Sequence, residues 1–129
     1  MLGSASGIAF VPSTDLDRAR EFFAGRLGLE VVEITPFACV LKAGGTMVRV
    51  TKVDQLRVQP FTVFGWEVPD IRQVMAELVA SGIGCLHFEG MGQDDAGIWT
   101  TPTGDLISWF QDPDGNTLSL TQFASRQPS

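Results

Sequence analysis

Cations are scarce in this sequence, and nowhere are they concentrated. Nine Lys and Arg residues stand against fifteen Asp and Glu, a formal net charge of -6 over 129 residues, with no Lys/Arg run. Phosphate backbones and anionic membrane surfaces are bound through clustered cations, so neither nucleic acid nor a membrane is an expected partner, whereas an electropositive ligand is compatible. Cysteine is nearly as rare. Cys39 and Cys85 fit no CxxC or zinc spacing, and a chain long enough to build a core has no need of a disulfide, so both read as buried thiols. Histidine occurs once, as His87, which makes a histidine-rich metal site arithmetically impossible. The N-terminal MLGSASGIAF has neither a basic n-region nor a long apolar run. No signal peptide or membrane span is expected, and the cytoplasm is the default compartment.

What is present is enough apolar residue for a core: 44% hydrophobic against 19% charged, the balance of one globular domain spanning 1–129. The helix-spaced residues Leu16, Ala19, Phe22, Phe23 and Leu27 follow the candidate caps Ser13, Thr14 and Asp15, and Gly28 stops the pattern. A short apolar run, GIAFVP, precedes it; LEVVEIT, FACVLKAG and TMVRVTKV follow as strands. The second half repeats this order. Strand FTVFGWEV leads into a helix with Ile71, Val74, Met75, Leu78 and Val79 on one face, stopped by Gly82. Then come IGCLHFEG, with His87 in a strand, the polar loop MGQDDAG, and strands IWTTPT, LISWFQ and NTLSLTQF.

Aligning Asp15 with Asp70 gives an offset of 55, and Gly45 with Gly115 an offset of 70. Ile8 then matches Val63, Val11 matches Trp66, Val48 matches Leu118, Arg49 matches Ser119, Val50 matches Leu120 and Thr51 matches Thr121. The chain reads as two copies of one supersecondary unit, about 7–53 and 61–123, neither of which buries its apolar sheet face alone. In the DPDG turn, Pro113 suits the second position of a type I turn, Asp112 can bond the turn backbone, and Gly115 supplies a positive φ. It lacks the ligand set of an EF-hand. The tail ASRQPS is expected to be mobile.

The helix DLDRAREFFAGRLGLEVV after a short strand, the DPDGNTLSL turn and strand, and the repeat between them resemble the glyoxalase, bleomycin-resistance and ring-cleaving dioxygenase (vicinal oxygen chelate) superfamily, from about Ile8 to Phe123. The resemblance implies an α+β fold of two tandem β-α-β-β-β modules, curled mixed sheets around a cleft with helices on the outer faces, and a homodimer. Metal-dependent members place ligands at positions that fall here on Ile8, Arg49, Val63 and Ser119. Ile8 and Val63 have no donor atom, Arg49 is a permanent cation and Ser119 is a weak ligand, so no metal and no cofactor are expected.

Strand alternation turns Met47, Arg49 and Thr51 to one side and Val48 and Val50 to the other, and likewise sets Thr117, Ser119 and Thr121 against Leu118 and Leu120. Arg49 has two readings: an anion clamp for a ligand, or an internal pair with Glu67 or an aspartate of the QDD loop. Ser119 touches ligand or water. Trp66 belongs with the helix-packed set, whereas Phe10, Trp99 and Trp109 can border a pocket. Asp94, Asp95 and Glu89 form either a solvated loop or an acidic mouth suited to a cationic aromatic compound, as in drug-sequestering members of the superfamily. His87 reads as a surface histidine. The leading expectation is a metal-independent carrier or sequestering protein for a small organic molecule, binding through Phe10, Arg49, Glu67, Trp99, Trp109 and Ser119. The alternatives are a lyase-, glyoxalase- or dioxygenase-like enzyme using Arg49 as clamp and Glu67 as base, and a dimeric interaction module with a filled cleft.

Overall fold

The structure, a computed structural model, describes residues 1–124. The tail expected to be mobile lies outside the described residues but for Ala124. Two compact units partition the chain: Met1–Val58 with the turn Asp112–Gly115, and Gln59–Gln111 with the chain from Asn116 onward.

In the first unit, β1 (Ile8–Ser13), α1 (Leu16–Arg20), β2 (Glu30–Ile34), β3 (Ala38–Ala43) and β4 (Thr46–Lys52) form a mixed sheet in the order β1-β4-β3-β2, with β1 and β4 parallel. Asp15 caps α1 by accepting from the N–H of Arg18 at 3.1 Å. The helix continues over Glu21–Arg26 as a π-turn, and this wider turn lets the neighbours Phe22 and Phe23 both point inward, their rings edge to face at 5.2 Å. They pack with Val11, Val48, Val50, Leu41 and Cys39, all buried. Gly28, at φ 80, ends the helix in the left-handed region that a side chain disfavours.

The second unit repeats the order with β5 (Thr62–Glu67), α2 (Ile71–Ala80), β6 (Trp99–Thr100), β7 (Leu106–Gln111) and β8 (Thr117–Gln122), arranged β5-β8-β7-β6. The register demonstrates the repeat. Val11 pairs with Val50 as Trp66 pairs with Leu120, and Pro12 with Thr51 as Glu67 with Thr121, at the offsets read from the sequence. Ile71, Met75 and Leu78 bury the inner stripe of α2 beside Phe110, Leu118 and Leu120, while Trp66 stacks on Phe110 at 6.0 Å. Val79, expected in that stripe, is 64% exposed: three residues complete the contact and Val79 falls beyond its edge.

Two further expectations change. IWTTPT shortens to the two residues of β6, and the segment with His87 is not a strand. Only Leu86 pairs there, its N–H donating to the Trp109 carbonyl at 2.8 Å. The side chain of Gln93 replaces a partner strand, accepting from the N–H of Phe88 at 2.6 Å and donating to the carbonyls of Leu86 (2.9 Å) and Gly97 (2.7 Å). Among the described residues no helix is long and apolar enough to cross a membrane.

Candidate functional site

One face of the second sheet gathers most of the sequence-predicted site. Residues directly opposite one another across a sheet share a face. Glu67, Thr121, Ile107 and Trp99 therefore form one row across all four strands, and Gly65, Ser119 and Trp109 the next. Trp109 is half-buried between two other rings, Trp99 tilted by 30° at 6.3 Å and Phe88 edge-on at 5.5 Å. The three rings make an aromatic wall at the β6–β7 side. Ser119 bends toward β5, where a Cβ on Gly65 would collide with its Oγ and lie 3.0 Å from its carbonyl oxygen. Glycine at 65 thus makes the room in which the Ser119 hydroxyl sits. Past the end of β5 a pocket of about 320 Å³ opens, lined by Glu67, Val68, Pro69, Gln122 and Phe123. Gln122 is fixed there by accepting from the N–H of Ile71 at 2.9 Å.

The first sheet presents a different face. Ile8, Phe10 and Met47 expose apolar surface, Phe10 at 62%, and Phe10 pairs directly with Arg49. Arg49 makes no ion pair among the described residues. Beside it the Thr51 hydroxyl is buried without a hydrogen-bond partner in the described structure.

The donor set does not fit a metal ion. Ile8 and Arg49 do lie on one face of the first sheet, but half-exposed Ile8 offers no donor atom and the Arg49 guanidinium repels a divalent cation. In the second unit Val63 falls where the β5–β8 register shifts, between Thr62 and Phe64, and has no donor wherever the bulge aims it. Ser119 alone remains. Among the described residues no group of three or more His, Cys, Asp or Glu side chains is placed to hold a metal.

The acidic loop is built for structure at one of its aspartates. Asp94 accepts from the N–H groups of Ile98 (2.9 Å) and Ala96 (3.0 Å) and from Arg72 (3.1 Å). The Ile98 N–H foremost, with Arg72 and Ala96, holds its carboxyl below the usual range against the opposing effect of burial, which outweighs either the Arg72 or the Ala96 bond alone. Both thiols are free, and burial pushes each up, with nearby Arg20 opposing slightly at Cys39.

Sequence reasoning missed Phe88, Gly65 and Asp114. Phe88 lay in a segment read for Cys85, His87 and Glu89 but not for its ring. Gly65 was legible as a glycine inside a strand, the usual sign of close approach. Asp114 was read as a turn residue, yet its side chain is 2% exposed and accepts from Ser13 Oγ (2.6 Å), Thr14 N (3.0 Å), Thr14 Oγ1 (2.9 Å) and Arg18 (2.8 Å).

Comparison with known proteins agrees with this architecture. Three solved structures show the same fold. The lactoylglutathione lyase from Agrobacterium tumefaciens has TM-score 0.73 at 20% identity, covering 95% of this chain and 96% of that one. A superfamily member from Sphaerobacter thermophilus DSM 20745 has TM-score 0.73 at 20% identity, covering 95% and 100%. The glyoxalase family protein from Enterococcus faecalis has TM-score 0.71 at 23% identity, covering 94% and 99%. At these identities the likeness extends to the fold alone. No curated protein matches the sequence. The sequence profile of the Glyoxalase/Bleomycin resistance protein/Dioxygenase superfamily matches residues 7–120, and the chain belongs to that superfamily.

Proposed function

We propose that the protein binds a small organic molecule without a metal ion, as a carrier or sequestering protein, and that the face bearing Trp99, Trp109, Ser119 and Glu67 receives it. The observation that carries this reading is the donor set. Ile8, Arg49, Val63 and Ser119 stand at the superfamily's ligand positions, so a Lewis-acid mechanism has nothing to hold its metal. The aromatic wall supports the choice of face, since half-exposed rings offer area to a planar ligand at little entropic cost. Ser119 supplies one hydroxyl for orientation. The chain's net charge of -6 favours a cationic aromatic ligand over an anionic one. Exposed Ile8, Phe10 and Met47 on the first sheet form part of the same reading, as apolar surface that a homodimer would cover.

The test pairs two measurements. Protein incubated with zinc, nickel, manganese and ferrous iron and then desalted is expected to retain far less than one metal per chain. A thermal-shift screen of aromatic amines, aromatic acids and neutral aromatics is expected to give saturable stabilisation by the amines, reduced by Trp109→Ala. Stoichiometric metal would overturn the reading, as would stabilisation indifferent to Trp109.

A further inference from the structure

A second recess, of about 490 Å³, shares no residue with the aromatic face. Its size falls within the roughly 300–1,000 Å³ of small-molecule sites. Met75, Ala76 and Val79 of α2 form one wall, Cys85 and Ile98 the other. Met75 and Ile98 are buried and make the floor, whereas exposed Val79 is an apolar side chain that the core stripe leaves unused. The second wall is pre-formed. The Gln93 clamp and the bonds to Asp94 fix the segment, and Gly97, at φ 94, closes it where a Cβ would come within 3.2 Å of Cys85 Cβ and 3.4 Å of the His87 ring. Because burial holds the Cys85 thiol protonated, it lines the recess as a neutral group.

The charges at the rim decide what fits. Arg72 is matched by Asp94 at 3.1 Å. Asp95 makes no side-chain hydrogen bond or ion pair among the described residues, and neither does His87. One unbalanced carboxylate and one imidazole therefore stand over an apolar floor, in a chain that is acidic throughout. We propose that this recess binds a small primary or secondary amine with an apolar body, the body lying on Met75, Val79 and Ile98 and the ammonium group donating to the Asp95 carboxylate and a His87 ring nitrogen. This inference is independent of the aromatic face.

Monodansylcadaverine, an aromatic body carrying a primary amine, is the probe, with its N-acetyl derivative as the uncharged control. Titration into isotope-labelled protein is expected to give saturable amide shifts over residues 72–79 and 85–98. Affinity should fall about tenfold for the N-acetyl probe and for Asp95→Asn, the worth of one charge-assisted hydrogen bond. Ala76→Trp, at an exposed helical position, fills the recess and should abolish those shifts at an unchanged melting temperature, while Trp109→Ala should leave them intact. Equal affinity for both probes, shifts confined to Trp99, Trp109 and Ser119, or no saturable binding would each overturn the proposal.

Discussion

Asp114 is where a single atom group holds the most of the first unit together, and its removal can be worked through bond by bond. The carboxylate accepts from Ser13 Oγ at 2.6 Å, from the N–H and hydroxyl of Thr14 at 3.0 and 2.9 Å, and from Arg18 at 2.8 Å. Hydrogen bonds to a charged group contribute about 1.5–3 kcal/mol each when buried, but three of these are worth less. Arg18 is 45% exposed, so its ion pair is screened and contributes about 0.5 kcal/mol. Thr14 is exposed, so water replaces its lost acceptor. Ser13 has an alternative too, the Asp15 carbonyl at 3.0 Å. Asp114→Ala should therefore cost about 2 kcal/mol, not the sum of four bonds, or roughly 8 °C in melting temperature at this chain length. Arg18→Ala should cost about 0.5 kcal/mol.

The pH dependence gives a second reading of the same group. Burial alone would raise the Asp114 carboxyl, but the bonds from Ser13 and Thr14 and the charge of Arg18 outweigh it and hold the carboxyl below its ordinary value. A carboxyl depressed in the folded state contributes stability that is fully present above its unfolded value of about 3.9 and is lost as pH falls through the lower folded value. Denaturant unfolding at pH 7, 5, 4 and 3 is the assay. Wild type should lose stability steeply below about pH 4, and Asp114→Asn should show a flatter acid limb. Equal losses in Arg18→Ala and Asp114→Ala would refute the reasoning, since they would assign the stabilisation to the exposed ion pair. An unchanged acid limb in Asp114→Asn would refute it as well.

Gly65→Ala should destabilise by about 1–3 kcal/mol, because the added methyl meets both Ser119 Oγ and the Ser119 carbonyl, and Ser119→Gly in the same chain should recover only part of that. Thiol titration of the native protein at pH 7 should find Cys39, 1% exposed, essentially unreactive and half-buried Cys85 slow, with both reacting at once in guanidinium; fast labelling of Cys39 would contradict its burial. Trp109→Ala strips the contacts at 5.5 and 6.3 Å that hold Phe88 and Trp99, so it should change the near-ultraviolet circular dichroism of the remaining tryptophans; an unchanged spectrum would mean that the wall is not held by Trp109.

Much of this was legible because strands and helices obey fixed periods. Alternation in TMVRVTKV and NTLSLTQF separated Val48, Val50, Leu118 and Leu120 from Arg49 and Ser119, and burial follows that parity. The DPDG turn is also as read: Asp112 Oδ1 accepts from Asp114 N at 3.0 Å, and Gly115 sits at φ 87. Illegible were the parts set by contacts remote in sequence. Nothing local marks Asp114 as the acceptor for residues about a hundred positions away, or Gln93 as a stand-in for a strand. Val79 satisfied the helical period and still lies outside the core, since period fixes which residues share a stripe but not how wide a stripe the sheet covers.

The repeat sharpens what the two sheet faces do. Superposing the registers places Phe10, Arg49 and Val40 of the first sheet on Gly65, Ser119 and Trp109 of the second. In one row the bulk stands at the β1 edge, over a cation; in the other it stands on β7, and glycine empties the edge position. Neither row keeps a carboxylate or an imidazole at its centre, where a metal-binding pair of modules would need one in each. A duplicated unit that had only to fold would gain nothing from such opposite distributions, because both sheets already bury equivalent apolar faces against their helices. Exchanging the rows separates the two demands. Phe10→Gly, at a position 62% exposed, should be tolerated in stability to within about 1–3 kcal/mol, whereas Val40 is buried and Val40→Trp would overpack it. Gly65→Ala, by contrast, pushes the Ser119 hydroxyl out of its place on the face proposed to receive the ligand and should weaken binding there while the protein still unfolds cooperatively; unchanged binding would show that the emptied edge position has no part in receiving the ligand.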